Sequence, residues 1–246
     1  MAHFFIADVH LRLDQPTRGR RLAAWVDRLE PSDELTIVGD LCDFWFAARQ
    51  SHRDWADCPG LNALSRYSRR GGRLTILAGN HDNWLGARYE SRLGARFVPD
   101  TLDLEIDGVR IHLAHGHRLG GVGRLKKIME SRAFLRAFGL TPGPIARRLE
   151  ARLDKTNTAH RSRDDQRQST KFERYTESLS DRFDLVVIGH LHLRIDTMIG
   201  SKRMIVPGSW HEAANYVMVD QGRIETVSRA DGASQEPRRG VTTGTG

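Results

Sequence analysis

Cysteine is scarce in this chain of 246 residues, and long apolar runs are missing. The two cysteines, Cys42 and Cys58, share no metal-binding spacing and suit a reducing compartment, although the sequence leaves a disulfide between them open. No apolar run is long enough to cross a membrane. A strand begins almost at once, at residue 3, so we expect no signal peptide. These features predict a cytoplasmic protein of ordinary globular composition, with 39% hydrophobic and 28% charged residues.

Positive charge is in excess, and the excess lies in one internal segment. The formal net charge is +7. Residues 118–174 contain 15 Lys and Arg against 6 Asp and Glu, whereas the rest of the chain has 23 basic and 25 acidic residues. A local excess of this kind predicts an anionic partner for the segment rather than a generally basic protein.

Short apolar runs alternate with helical patterns in the first part of the chain. Runs at 3–7, 35–38 and 74–78 are typical of buried strands, and the stretches between them have helical spacing. This alternation predicts an α/β fold that contains parallel strands. Farther along, Asp107-Gly108 predicts a hairpin between residues 101–106 and 109–114.

The rest of the chain predicts a closing group of strands and a tail. A further buried strand is expected at 184–188, followed by short strands at 195–199, 204–206 and 216–219 and a last extended piece. From residue 230 the chain is rich in Gly, Ser, Thr and Pro, so we expect a disordered tail at 230–246 after one domain at 1–229.

Polar side chains follow five of the predicted strands at the point where each strand ends. A lone Asp-x-His pair is weak evidence, but five such groups directly after apolar runs indicate one shared site rather than ordinary buried polar groups. Asp, His and Asn ligands suit borderline divalent ions. Their number exceeds the need of one ion, which predicts two ions about 4 Å apart, bridged by a carboxylate. The five groups are Asp8-x-His10, Gly39-Asp40-x-x-Asp43, Gly79-Asn80-His81-Asp82, His115-Gly116-His117 and Gly189-His190-x-His192.

This ordered set of motifs, from residue 8 to residue 192, resembles the calcineurin-like metallophosphoesterase family. The resemblance implies a sandwich of two mixed sheets flanked by helices, and two divalent ions, Mn²⁺ first with Fe²⁺ and Zn²⁺ as alternatives. It implies that one ion is held by Asp8, His10 and His192. The other is held by Asn80, His115 and His190, and Asp40 bridges the two ions.

By the same resemblance, His81 faces the substrate phosphate, where it assists charge neutralisation or leaving-group protonation, and Asp82 orients its ring. A purely structural histidine is the alternative. Asp43 supports a metal ligand or caps a helix, and the role of His117 stays open. Because two divalent ions lower the pKa of a bridging water, the implied reaction is hydrolysis of a phosphoester or pyrophosphate by metal-activated hydroxide.

The basic segment 118–174 lies between the fourth and fifth motifs, which predicts a helical cap over the metals. Its apolar residues beside Lys and Arg suit a lipid-linked substrate or peripheral contact with the anionic inner face of the cell membrane. An amphipathic hairpin with a solvated basic face is the alternative, and the lack of a stacking module disfavours nucleic acid. Candidate substrate contacts in the cap are Asn157, Arg161 and Lys171.

Within the family, the chain resembles a branch that cleaves the pyrophosphate of UDP-2,3-diacylglucosamine in lipid A synthesis. The shared features are Phe-Ile-Ala-Asp-x-His-Leu at the start, Gly-Asp-Leu-Cys-Asp-Phe-Trp, the helical insert and Gly-Ser-Trp-His at 208–211. This implies release of UMP and a lipid sugar 1-phosphate. The chain has His81 and His117 where the branch carries Arg and Asp, which keeps open a phosphodiesterase or phosphatase of a soluble substrate. A non-catalytic metal-binding scaffold is a third interpretation, disfavoured by the complete ligand set.

Overall fold

The computed structural model describes most of the chain outside the predicted cap and tail. The candidate contacts Asn157 and Arg161 lie outside the described residues, as do most of the cap and the tail from residue 231 onward. Cys42 and Cys58 are both buried free thiols. In the portion that the structure describes, no helix has the length and apolar character needed to cross a membrane. The described ranges are 1–12, 15–43, 55–119 and 168–230.

Strands make up most of the regular structure in these ranges. In chain order they are β1 (His3–Ile6), β2 (Glu34–Ile37), β3 (Arg73–Leu77), β4 (Arg96–Val98), β5 (Leu102–Ile106), β6 (Val109–Ala114), β7 (Leu185–Ile188), β8 (Ile195–Ile199), β9 (Lys202–Val206), β10 (Ala213–Asp220) and β11 (Arg223–Ala230). The helices are α1 (Pro16–Val26), α2 (Pro59–Arg69), α3 (Gly86–Leu93), preceded by a 3₁₀ turn at Asn83–Leu85, and residues 168–178, hereafter the return helix.

The first sheet has the strand order β11-β10-β1-β2-β3-β4. The four strands β1 to β4 are parallel, as the alternation of strands and helices predicts, whereas β10 pairs with β1 in the antiparallel sense. Because parallel strands need a crossover connection, α1 and α2 return the chain across one face of this sheet. The carboxyl ends of β1, β2 and β3 therefore lie at one edge.

The second sheet has the order β5-β6-β7-β9-β8. The predicted hairpin is confirmed, since Ile106 pairs with Val109 across the turn. Asp107 and Gly108 both have positive φ, 50° and 80°, which is the backbone that a two-residue turn of this twist requires. Strands β6 and β7 are parallel, so their carboxyl ends also lie side by side.

Alternate side chains of the central strands point to different layers. Phe4 packs in the core beneath α1 and α2, whereas its neighbour Phe5 packs against Leu113 and Val187 of the second sheet. On the far side of the second sheet, Val186 contacts the core formed with Phe172 of the return helix. The layers are helix, sheet, sheet and helix, which confirms the fold expected from the sequence.

The core between the sheets predicts a specific cost for truncation. Leu113 is fully buried there. Leu113→Ala should therefore lower the free energy of unfolding by about 2–5 kcal/mol, measured by urea denaturation. Met198, on the outside of β8, is 58% exposed, so Met198→Ala should stay within about 0.5 kcal/mol of the wild type. Equal losses for the two variants would contradict this packing.

Candidate metal centre

The ends of β1, β2, β3, β6 and β7 bring the five sequence motifs to one place. Within three groups of side chains, one potential ligand atom from each member lies within 4.8 Å of the others. The group of Asp8, His10 and His192 is hereafter the first trio, and the group of Asp40, His115 and His190 is the second trio. They correspond to the two predicted ligand sets, except that Asn80 is not in the second trio. The remaining group, His10, Asp40 and His81, has one member in common with each trio.

Four of the predicted ligands have a backbone that side chains rarely adopt. The φ angles are 54° at Asp8, 50° at His10, 53° at Asp40 and 70° at His190. Each such residue costs about 1–3 kcal/mol and persists only where the surroundings hold it, which is common at functional sites. Backbone hydrogen bonds do so here, because the amides of Asp8 and His10 donate to the carbonyls of Gly39 and Asp40 at 3.2 and 3.0 Å.

Glycines let the motif loops approach one another closely. A Cβ on Gly79 would collide with the carboxylate and the amide nitrogen of Asp40. Gly39 has φ of +83°, and a Cβ there would collide with the ring of His115. The glycines therefore keep Asp40 in contact with the loops on both sides of it.

The donor atoms of the first trio fit a divalent cation. Oδ2 of Asp8 accepts a hydrogen bond from the amide of His190 at 2.8 Å, but the buried Oδ1 has no hydrogen-bond partner among the described residues. Burial raises the pKa of Asp8 to about 8. The Nε2 atoms of His10 and His192 approach to 3.2 Å, and burial holds the pKa of His10 well below its usual value. An unsatisfied carboxylate oxygen beside two imidazole nitrogens fits a divalent ion.

The second trio has its histidine oriented from behind. Nδ1 of His115 donates to the carbonyl of Val38 at 2.8 Å, so Nε2 faces the site, 3.3 Å from Oδ2 of Asp40 and 3.3 Å from Oδ1 of Asn80. Such a backbone contact commonly fixes the ring of a metal-binding histidine. Burial lowers the pKa of His115, but the charge of Asp40 outweighs it and raises the value to about 9. A bound cation would take the place of that proton.

Asp40 belongs to the second trio and also lies beside His10 of the first trio. Its Oδ2 lies 3.3 Å from His115 and 3.8 Å from His10, and its Oδ1 accepts a hydrogen bond from the amide of His81 at 2.9 Å. Burial alone would raise the pKa of Asp40, yet His115 and His81 hold it well below its usual value. The carboxylate therefore lies close to histidines on both sides of the site.

The carboxylate that faces the ring of His81 belongs to Asp43. Nδ1 of His81 lies 3.4 Å from Oδ1 of Asp43, at ion-pair distance. Burial lowers the pKa of His81, but the charges of Asp40 and Asp43 outweigh it and raise the value to about 9. The side chain of His81 is 27% exposed, so it can meet a ligand.

Asp82 does not have the place that the sequence predicted for it. Its Oδ2 accepts hydrogen bonds from the amides of Leu41 and Cys42, at 2.7 and 3.2 Å, and from the hydroxyl of Tyr89 at 2.8 Å. Its Oδ1 accepts one from the amide of Gly79 at 3.1 Å. Asp82 thus turns inward and holds the two motif loops together, so the expectation that it orients the ring of His81 is wrong.

Three further residues lie near the metal centre or carry a predicted substrate contact. His117 is buried, and its ring centroid lies 5.2 Å from that of His115, outside the three ligand groups. Lys171 is exposed on the return helix, whose buried Phe172 packs beside Gly116. His211, to which the sequence assigned no role, lies with its ring centroid 5.2 Å from that of His192. Its position directly after a Gly-Ser-Trp turn was the available signal.

Comparison with known proteins identifies a family and several relatives that this chain resembles. The family model for calcineurin-like phosphoesterases matches residues 3–194. UDP-2,3-diacylglucosamine hydrolase of Photorhabdus laumondii is 26% identical, over 93% of this chain and 99% of its own length. The protein of the same name from Aeromonas salmonicida is 28% identical, over 93% and 94%. Among solved structures, an archaeal phosphodiesterase aligns at 14% identity with a TM-score of 0.46, over 93% of this chain and 99% of that chain.

The close approach at Gly79 predicts that one methyl group disrupts ion binding. Gly79→Ala should displace the carboxylate of Asp40 and reduce bound Mn²⁺ from about two equivalents per chain to one or none, measured by elemental analysis after gel filtration. Gly19→Ala in α1 is the matched control, since its new Cβ would meet nothing closer than 3.5 Å. Full Mn²⁺ content in Gly79→Ala would contradict the geometry.

Proposed function

Because the chain belongs to the calcineurin-like phosphoesterase family and is thus a metal-dependent phosphoesterase, we propose that its substrate is UDP-2,3-diacylglucosamine or a similar lipid-linked nucleotide sugar. Hydrolysis of the pyrophosphate would release UMP and a lipid sugar 1-phosphate. The observation that carries the hydrolytic chemistry is the position of the Asp40 carboxylate, which belongs to the second trio and also lies 3.8 Å from His10 of the first trio. The names of the relatives that match 93% of the chain support the substrate.

The residues present fit two divalent ions. The first trio would hold one ion, the second trio with Asn80 would hold the other, and Asp40 would contact both. We favour Mn²⁺, because oxygen and imidazole donors without a thiolate suit it, and Fe²⁺ or Zn²⁺ suit the same donors. Two such ions supply an activated water and neutralise charge on the phosphoryl group.

His81 and Asp43 work as a pair in this proposal. The ring of His81 is partly exposed beside Asp40, so it can donate a hydrogen bond to a phosphoryl oxygen or to the leaving group. Asp43 lies at ion-pair distance from Nδ1 of that ring, and this pairing would favour the orientation in which Nε2 is directed to the site. Arg12, 3.6 Å from Asp43, offsets the charge of this carboxylate. Asp82 contributes indirectly, by fixing the loops that carry the ligands.

The return helix supports a lipid-linked substrate. It places Lys171, an exposed cation, one residue before Phe172, which packs against the loop at Gly116 that follows His115. A charge carried on a helix anchored to the metal-binding loop can pair with a diphosphate or with an anionic membrane surface. Asn157 and Arg161 remain predicted contacts in the same segment.

A soluble phosphodiester is the second candidate substrate. The observation that favours it is His81, which stands where the lipid-sugar branch carries Arg. An Arg fork grips two phosphoryl oxygens at once, whereas an imidazole donates one hydrogen bond. A smaller phosphodiester with one reacting phosphorus suits the imidazole.

A direct comparison of substrates separates the two candidates. With Mn²⁺, the purified protein should cleave UDP-2,3-diacylglucosamine with a higher kcat/KM than cyclic nucleotides, bis(p-nitrophenyl) phosphate or simple phosphomonoesters, measured by release of UMP, nitrophenol or phosphate. Asp40→Ala, which lacks the shared carboxylate, is the control and should lose turnover of all of them. A higher kcat/KM for a cyclic nucleotide would reject the lipid-sugar proposal in favour of the second candidate.

The pairing of His81 with Asp43 predicts a graded series of variants. His81→Ala should lower kcat by about 10²–10⁴-fold, because it removes the donor. Asp43→Asn should lower kcat by about 10–100-fold, because it leaves the ring poorly oriented. Asp82→Asn should instead lower the free energy of unfolding by about 1–3 kcal/mol. Steady-state kinetics and urea denaturation check the series, and a kcat loss from Asp82→Asn as large as that from Asp43→Asn at unchanged stability would refute it.

A further inference from the structure

A cleft of about 250 Å³ lies between the two sheets, next to their end strands β8 and β11. Its polar lining comes from Arg194, Asp196 and Thr226, and Ile205 and Pro207 contribute to an apolar wall. Among the residues that the structure describes, none of the predicted ion ligands lines the cleft. The cleft is therefore a concave surface of its own, separate from the two trios.

Strand directions place the cleft at the same end of the sandwich as the metal centre. In the second sheet, β9 runs parallel to β7 and β8 runs antiparallel to β9, so the end of β9 and the start of β8 lie where His192 follows β7. In the first sheet, Phe5 pairs with Val217, which puts Tyr216 of the cleft level with the last residue of β1. Asp8 of the first trio follows that strand. The cleft thus borders the side of the metal centre that holds the first trio.

Two short connections join the cleft to the first trio. Arg194 follows His192 by two residues, a separation of at most roughly 7 Å along an extended chain. Gly208, with φ of +84°, lies so close to Arg194 that a Cβ there would be 2.7 Å from its Cγ. The amide of Ser209 donates to the carbonyl of His192 at 3.4 Å. A ligand with a phosphate at the first trio can therefore reach the cleft across a single sugar ring.

Asp196 presents a fixed and charged acceptor in the cleft. Its Oδ1 accepts a hydrogen bond from Nε of Arg203 at 2.8 Å, and its Oδ2 accepts from Nη2 of Arg203 at 2.8 Å and from the hydroxyl of Thr226 at 3.1 Å. The hydrogen bonds from Arg203 are the main reason that the pKa of Asp196 is lowered. A carboxylate can accept about four hydrogen bonds, and this side chain is 35% exposed, so Oδ1 can accept one more from a ligand.

Arg194 supplies a donor beside this acceptor. It is exposed, and among the described residues its guanidinium has no hydrogen-bond or ion-pair partner. Its charge acts on Asp196, whose pKa it helps to lower after the larger effect of Arg203, so the two groups are neighbours. The cleft therefore offers one cationic donor and one charged acceptor together, next to an apolar wall.

A planar cyclic imide has the complementary edge, because its N–H is flanked by two carbonyl oxygens. Acyl chains do not suit the cleft, since they would take Asp196 and Arg194 out of water without a hydrogen bond in return. The volume is below the roughly 300–1,000 Å³ of sites for whole drug-sized ligands, so the cleft fits one compact part of a substrate. In the proposed substrate, the compact planar imide is uracil.

We propose that the cleft binds the uracil base of a uridine nucleotide, with Asp196 accepting a hydrogen bond from N3–H and Arg194 donating one to a ring carbonyl oxygen. The assignment deepens the proposed function and rests on it. The ribose then spans the distance from the cleft to the first trio, where the 5′-phosphate lies. The base is thus recognised by side chains that do not bind the ions.

A change in the ligand tests the contact with Asp196 without disturbing its pairing with Arg203. In the Mn²⁺-loaded protein, N3-methyl-UMP should bind about 10–100-fold more weakly than UMP, because the methyl group replaces the hydrogen that the charged acceptor receives. Ribose 5-phosphate, which has no base, should show a loss of at least this size. Titration calorimetry measures the three affinities without turnover. Equal affinities for UMP and N3-methyl-UMP would overturn the assignment.

Arg194→Ala tests the donor. It should weaken binding of UMP by about 10–100-fold and leave the Mn²⁺ content and the affinity for ribose 5-phosphate unchanged, because Arg194 contacts the base alone. Arg96→Ala is the matched control and should leave UMP binding unchanged, since Arg96 is also exposed but lies on β4, at the opposite end of the first sheet from β11. Unaltered UMP affinity in Arg194→Ala, or an equal loss for UMP and ribose 5-phosphate, would contradict the proposal.

The outcome for the cleft is distinguishable from the outcome for the reaction. Wild-type protein that binds UMP more tightly than N3-methyl-UMP but does not hydrolyse UDP-2,3-diacylglucosamine would support the cleft assignment and contradict the proposed substrate. Wild-type protein that cleaves this substrate with a KM unchanged by Arg194→Ala would support the substrate and overturn the cleft assignment. If both proposals hold, Arg194→Ala should raise KM for UDP-2,3-diacylglucosamine and leave kcat/KM for bis(p-nitrophenyl) phosphate, which has no base, unchanged.

Discussion

One carboxylate, that of Asp40, is the contact on which the site depends. It follows β2 in the first sheet, yet it lies within ion-pair distance of His115 from the second sheet and accepts a hydrogen bond from the amide of His81. The two sheets pack face to face, and they meet at the two carboxylate oxygens of Asp40. Two features allow that approach: Gly79 has no room for a Cβ, and Asp40 itself has a left-handed backbone.

The site is costly for the apo protein. Four predicted ligands have positive φ, and a buried carboxylate oxygen of Asp8 has no hydrogen-bond partner among the described residues. Each of these costs free energy that the rest of the fold must offset. The offset comes from the two cores on either side of the first sheet and from Asp82. Three amides of the loops after β2 and β3 donate hydrogen bonds to Asp82, and the hydroxyl of Tyr89 in α3 donates a fourth. Ion binding should therefore also stabilise the fold.

Much of this could be predicted from the sequence, for a physical reason. A parallel strand ends where the apolar run ends, so the sequence predicts that Asp8, Asp40 and His190 each lie directly after the carboxyl end of a strand. Orientation within a loop could not be predicted in this way. Asp82 follows His81 in the chain, but it points inward to Gly79, and the ring of His81 meets Asp43 from another loop. The sequence predicted no role for His211, because its position depends on the turn that contains Trp210 and not on a strand end.

Electron paramagnetic resonance of the Mn²⁺-saturated protein tests most directly whether two ions share Asp40. Two ions about 4 Å apart and bridged by one carboxylate couple magnetically. A wild-type protein with both ions bound should give the broad spectrum of an exchange-coupled Mn²⁺ pair, which should disappear when Asp40 is replaced by Ala. A saturated wild-type protein that shows only the resolved hyperfine spectrum of isolated Mn²⁺ would contradict it.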